Sequence, residues 1–160
     1  MTDKPEYVYV ASSWRNPIQV AVCAALRSSH IEHYDFKNPV PGEHGFHWSE
    51  VMPSYRRGGL DPRGNEQLAD IDEYVAALDH PISEHGFQRD WDAMKRSDVC
   101  VLVLPCGRSA HLELGWFVGV GKRTAILLDG PKVTPELMYK MVDYVAPSLL
   151  DLLGWLGVED

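Results

Sequence analysis

The stretch that decides the fold is 99-VCVLVL-104 followed by 105-PCGRSAHLELGW-116. Six apolar residues in a row, with no polar alternation, fit a short strand covered on both faces, as in the middle of a parallel sheet. Pro105 and Gly107 then break the run, and 109-SAHLELGWFVGVG-121 reads as a helix that starts at a Ser109 cap and ends in glycine. A strand feeding directly into a helix is half of a parallel crossover unit. A carboxylate, Glu113, sits in that helix between Leu112 and Leu114.

Working outward, the same alternation recurs. Residues 7-YVYVA-11 form a first strand, and 12-SSWRNP-17 leads into a helix over 17–29 with Asn16 as cap and Pro17 at the first helical position. A short strand is expected at 31–36. Helices are expected at 66–78 and 83–98, the second with Phe87, Trp91 and Met94 on its apolar face. A further strand spans 124–128, a turn follows at 129–132, and the tail 134–157 reads as helical with a break at Pro147. Strand, helix, strand, helix in this order predicts an α/β three-layer sandwich around a central parallel sheet. In such sheets ligands bind beyond the carboxyl ends of the strands. Residues 38–65 stand apart: Pro39, Pro41, Pro53 and Pro62 punctuate a segment with little periodicity, which carries Phe46, Trp48 and Tyr55. A loop this long inside a compact domain is often functional.

The 160 residues are 45% apolar, which suits one domain over 1–160 with a sizeable core. The net charge of −8, with 56-RR-57 as the longest basic run, leaves no positive footprint for nucleic acid. The opening residues are polar and no run of 18 apolar residues occurs, so neither a signal peptide nor a membrane span is read. Cys23, Cys100 and Cys106 form no CxxC pair, and their odd number suits a reducing, cytoplasmic setting better than a disulfide scaffold. His44, His47 and His85 lack the spacing of a metal site, so none is expected.

Candidate site residues gather after the first and central strands. Ser12, Trp14 and Arg15 offer a hydroxyl, a stacking ring and a phosphate contact. Gly107, Arg108 and Ser109 sit where free N–H groups of a helix start can hold an anion. Glu113 falls near the opening of that helix, where an ionised carboxylate is favoured, and a glutamate so placed can attack an electrophilic sugar carbon. Asp90 is a second acid, on the helix that feeds the central strand, with Asp92 and Asp98 as neighbours. Paired carboxylates of this kind suit glycosidic chemistry. Trp48, with Phe46, can stack on a planar base or pack its loop.

Taken together, 7-YVYVASSWRNP-17, 87-FQRDWDAMKRSDVCVLVL-104 and 109-SAHLELGWFVGVGKRTAILL-128 resemble the nucleoside 2-deoxyribosyltransferase family, which includes nucleotide N-glycosidases. The most telling piece is the helix-borne ELG followed by GK and an apolar strand. The resemblance implies a flavodoxin-like sheet, a homodimer or larger assembly, no metal or redox cofactor, and a small nucleoside or nucleotide as partner. It places Glu113 on the nucleophile that attacks the anomeric carbon, and Asp90 on the aspartate that assists at the base. Ser12 to Trp14 stand where many members carry a tyrosine, while Arg108 and Ser109 fit the phosphate-binding style of the nucleotide glycosidases. Two other readings compete: a non-catalytic nucleotide-binding or signalling module on the same fold, and cleavage of an NAD-type glycosidic bond. The apolar tail 149-LLDLLGWLG-157 offers a surface for a partner helix.

Overall fold

The computed structural model describes residues 4–128 and 130–158. They include five parallel strands in one sheet: β1 (Tyr7–Ala11), β2 (Glu32–Asp35), β3 (Val99–Val103), β4 (Arg123–Leu127) and β5 (Tyr144–Ala146). Their spatial order is β2-β1-β3-β4-β5. Five helices accompany them: α1 (Pro17–Ser28), α2 (Ile71–Leu78), α3 (Pro81–Arg96), α4 (Arg108–Gly119) and α5 (Leu149–Trp155). The chain divides into two compact units, one of Met1–Asp35 with Ala93–Asp160 and the other of Phe36–Asp92, with the division falling inside α3.

The sheet unit is a flavodoxin-like three-layer sandwich. β3 is buried along its whole length, as its unbroken apolar run requires. One face of the sheet presents Val8, Val10, Val99, Val101, Val103, Ala125 and Leu127 to Val22, Cys23 and Leu26 of α1, to Leu152 of α5 and to Leu156, which caps its end. On the other face the Tyr9 ring lies between Tyr34 and Phe117 of α4, with centroids 5.4 and 5.6 Å away. Two aspartates pin the amino ends of strands: Asp98 Oδ2 accepts from the backbone N–H of Glu6 and Tyr7, both at 3.0 Å, and Asp143 Oδ2 accepts from the N–H of Thr124 at 2.7 Å.

Several boundaries differ from the sequence reading. The helix expected over 66–78 begins only at Ile71, because Asp70 accepts from the N–H of Asp72 and Glu73 and so caps it there. The one expected over 83–98 begins at Pro81, and the Ser83 hydroxyl donates to Ala77 O at 2.6 Å instead of capping. The tail is not wholly helical: Leu137–Met141 forms a 3-10 turn and Tyr144–Ala146 is the edge strand β5, held by its ladder to β4. Most apolar side chains of 149–157 pack on this chain's own core. Leu152 and Leu156 are fully buried, and Leu149, Leu153 and Trp155 pack against the core, leaving Leu150 at 67% exposure. The turn read at 129–132 and the polar opening both include positions, 129 and 1–3, outside the described residues. No described helix is long and apolar enough to cross a membrane.

The Phe36–Asp92 unit is held differently. Phe46 packs against Gly86 of α3 so closely that a Cβ on the glycine would lie 2.9 Å from the Phe46 Cβ. Trp48 meets Phe46 and Tyr74 edge-on, with centroids 4.9 and 5.4 Å away. Asp61 accepts from the N–H of Arg63 and Asn65 at 2.8 and 2.9 Å, closing a tight turn in which Gly64 takes φ +83°.

Candidate functional site

The strand order makes the chain leave β1 for β2 on one side and then return to β3 on the other. That reversal opens the loops after β1 and β3 away from each other, and in open α/β sheets it is where ligands bind. Here the two loops are stitched together by one side chain. Asn16, 2% exposed, uses its Oδ1 to accept from the Ile18 N–H at 2.9 Å, capping α1. Its Nδ2 donates to Ser12 Oγ, Val103 O and Pro105 O at 3.1, 3.2 and 3.2 Å. The Ser12 hydroxyl in turn donates to Val103 O at 2.9 Å. An amide satisfied on three carbonyl or hydroxyl oxygens fixes both corners at once, since leaving any of these groups unpaired in the interior costs about 1–3 kcal/mol. From the sequence Asn16 is legible as a helix cap and nothing more. Trp14 and Arg15 stand at the exposed rim of the same loop.

The start of α4 departs from expectation in two ways. The cap position belongs to Gly107, whose backbone is extended at φ −97° and ψ −158°, and Arg108 opens the helix. Ser109 is therefore its second residue and not the cap. Gly107 brings no cap side chain, and a Cβ there would meet nothing within 4 Å. Because the helix begins earlier, Glu113 lies in its second turn, and the first turn holds no acid. The pull of a helix start on negative charge fades beyond the first turn, so that reason for an ionised Glu113 is removed.

What surrounds Glu113 is more specific. Ala110, Leu114 and Phe117 bury one face of α4 and Leu112 projects outward at 77% exposure, which leaves Glu113 half-buried between them. Its carboxylate acts on two thiols. Burial, and then the Glu113 charge, push the Cys106 thiol from the usual 9.0 up to about 12. Cys100, wholly buried on β3, is raised well above the usual thiol range by burial first, then by Glu113 and Cys106. Both stay protonated at neutral pH. Neither is then a nucleophile, since the thiolate is the reactive form. Glu113 thus stands in the second turn of the helix that follows the central strand, beside two thiols that carry no charge at neutral pH.

His111 and Tyr139 complete this corner. His111 Nδ1 lies 2.8 Å from Gly107 O and 3.8 Å from Cys106 Sγ, and its Nε2 lies 2.8 Å from the Tyr139 hydroxyl. The Tyr139 phenol is raised by burial, with Cys106 and Glu136 adding to the effect. Tyr139 has no counterpart in the sequence reading, because 28 residues separate it from His111 and only the packing of the Leu137–Met141 turn unites them.

Of the expected site residues, Ser12, Trp14, Arg15, Gly107, Arg108, Ser109 and Glu113 all lie on or beside the loops at the carboxyl end of this sheet. Asp90 and Trp48 belong to the Phe36–Asp92 unit. Asp90 is half-buried on α3, one residue after Arg89, whose Nη1 is 3.0 Å from Glu43 Oε2. Trp48 is engaged with Phe46 and Tyr74.

No family model and no curated protein matches the sequence. Solved structures do match in fold. The chain is similar to the 2-deoxyribosyltransferase from the psychrotolerant bacterium Bacillus psychrosaccharolyticus, at 14% identity and a TM-score of 0.53, over 96% of this chain and 97% of that one. It is also similar to a conserved protein from Enterococcus faecalis V583, at 14% identity and a TM-score of 0.52, over 94% of this chain and 96% of that one. Identity this low carries the fold alone.

Proposed function

We propose that this chain cleaves or transfers the N-glycosidic bond of a 2-deoxynucleoside or its 5′-monophosphate, with Glu113 as nucleophile. The observation that carries the reading is the half-buried Glu113 carboxylate in the second turn of the helix that follows β3, the strand at which the order reverses, beside thiols that remain neutral. One carboxylate oxygen attacks the anomeric carbon. The C–N bond breaks, its electron pair leaves with the base nitrogen, and the base takes up a proton. The glycosyl ester on Glu113 is then opened at the same carbon by water or by a second base, which restores the carboxylate. Ser12, Trp14, Arg15, Gly107, Arg108 and Ser109 are the proposed sugar and phosphate contacts. Asp90, as proton carrier at the base, enters the proposal through the family resemblance and the chemistry of paired carboxylates, and Trp48, as a stacking ring, through its place on the long aromatic-bearing segment. Assembly as a homodimer or larger and a role in nucleotide metabolism come from the resemblance, and the cytoplasmic setting from the cysteine count.

The test is product analysis on a panel of 2′-deoxynucleosides, their 5′-monophosphates and NAD, with chromatographic detection of the freed base. Glu113→Gln is expected to lower turnover by roughly a thousandfold or more without changing the melting temperature. Unchanged turnover in that variant removes Glu113 from the mechanism. Ligand binding by the wild-type chain with no product formed would favour the non-catalytic binding module on the same fold.

A further inference from the structure

At the start of α4, six residues or fewer before Glu113, runs a line of hydrogen bonds whose direction follows from the chemistry of its groups. A carbonyl oxygen only accepts, so His111 Nδ1, 2.8 Å from Gly107 O, must carry a hydrogen. In the neutral ring Nε2 is then the acceptor, and the Tyr139 hydroxyl at 2.8 Å donates to it. The two rings also lie nearly parallel, 15° apart with centroids at 5.8 Å. The line therefore reads Tyr139 O–H to His111, then His111 N–H to the carbonyl of Gly107, the cap residue of α4. Gly107 has no side chain with which to cap the helix, and the imidazole holds this corner from four residues downstream.

The Leu137–Met141 turn that bears Tyr139 has little else to seat it by burial. Leu137, Met138 and Met141 are 75, 56 and 51% exposed. Tyr139 itself is half-buried.

We propose that Tyr139 is a positioning residue: acting through His111, it holds the corner from Cys106 to Arg108 in the geometry from which α4 presents the Glu113 carboxylate. This rests on the glycosidic reading of Glu113. Attack on an anomeric carbon tolerates little error, and a displacement of about 1 Å costs up to about a hundredfold in rate. Without the phenol hydroxyl, Nε2 loses its donor. The neutral ring is then free to move its hydrogen to Nε2, which releases the Gly107 carbonyl.

The experiment pairs kinetics with a direct reading of the ring. Nitrogen-15 NMR of histidine-labelled protein, with the His111 signals assigned by their loss in His111→Gln, is expected to show the Nδ1–H tautomer in the wild type and a shift towards Nε2–H in Tyr139→Phe. The same variant, which keeps the stacked ring, is expected to lower kcat roughly ten- to a hundredfold on the best deoxynucleoside of the panel while KM changes less than about threefold. A wild type that turns over while Tyr139→Phe matches it within about twofold, or an unaltered tautomer in that variant, overturns the positioning role and leaves Glu113 untouched. A wild type without glycosidic turnover overturns the reading of Glu113 and the positioning role with it.

Discussion

The sheet unit has an extensive buried apolar core, whereas in the Phe36–Asp92 unit the buried apolar residues are Met52 and Ala77. Every residue of β3 is buried. In α2 only Ala77 is buried, while Ile71, Val75 and Leu78 are 77, 54 and 45% exposed, and Leu68 just before the helix reaches 90%. The first unit thus draws its cohesion from area removed from water, which is non-directional and large. The second relies on a few specific contacts: Phe46 on Gly86, Trp48 against two rings, and the Asp61 turn. The lesson is that two parts of one chain of this size can be held by different physics, and that they should fail in different ways.

The largest expected effect is in the sheet unit. Phe117→Ala removes a fully buried ring beneath Tyr9 and should destabilise by about 3–5 kcal/mol in a denaturant titration. A loss below about 1 kcal/mol would mean that the α4 face is not a packed core and would erase the contrast. An intermediate effect is expected for Gly86→Ala. Overpacking against Phe46 costs about 1–3 kcal/mol, and alanine in a helix returns up to about 1. Hydrogen exchange should then quicken within 36–92 and stay unchanged in β1 and β3; faster exchange in the strands would show that the two units do not fail separately. The smallest effect belongs to the exposed stripe. Ile71→Ser should alter stability by less than about 0.5 kcal/mol, because its side chain is already in water. A larger loss, or a change in sedimentation, would show that this face is covered in solution.

The same contrast explains what was legible in the sequence. β1 and β3 declare themselves because burial on both faces demands continuous Val, Leu and Tyr, and α1 because Asn16 and Pro17 mark its start. β5 does not, since three residues at a sheet edge become a strand only through their ladder to β4. At the site, Glu113 and the loops after β1 and β3 can be found by counting from the strands. The true start of α4 cannot, because Ser109 is the better cap by type and Gly107 takes the position through the path of the backbone. Tyr139 is beyond any local pattern, as its meeting with His111 depends on how a poorly buried turn settles on a distant helix.

Asn16 has one further consequence, for the chemical ageing of the molecule. Asparagine usually loses its amide when the backbone nitrogen of the next residue closes a five-membered imide on the side chain. Residue 17 is proline, whose nitrogen carries no hydrogen, so that ring closure is barred. Conversion to aspartate would set a negative charge against the oxygens of Val103 and Pro105 and pry the two corners apart. The side chain that joins them is thus shielded by its own neighbour from the commonest spontaneous damage to which its type is prone.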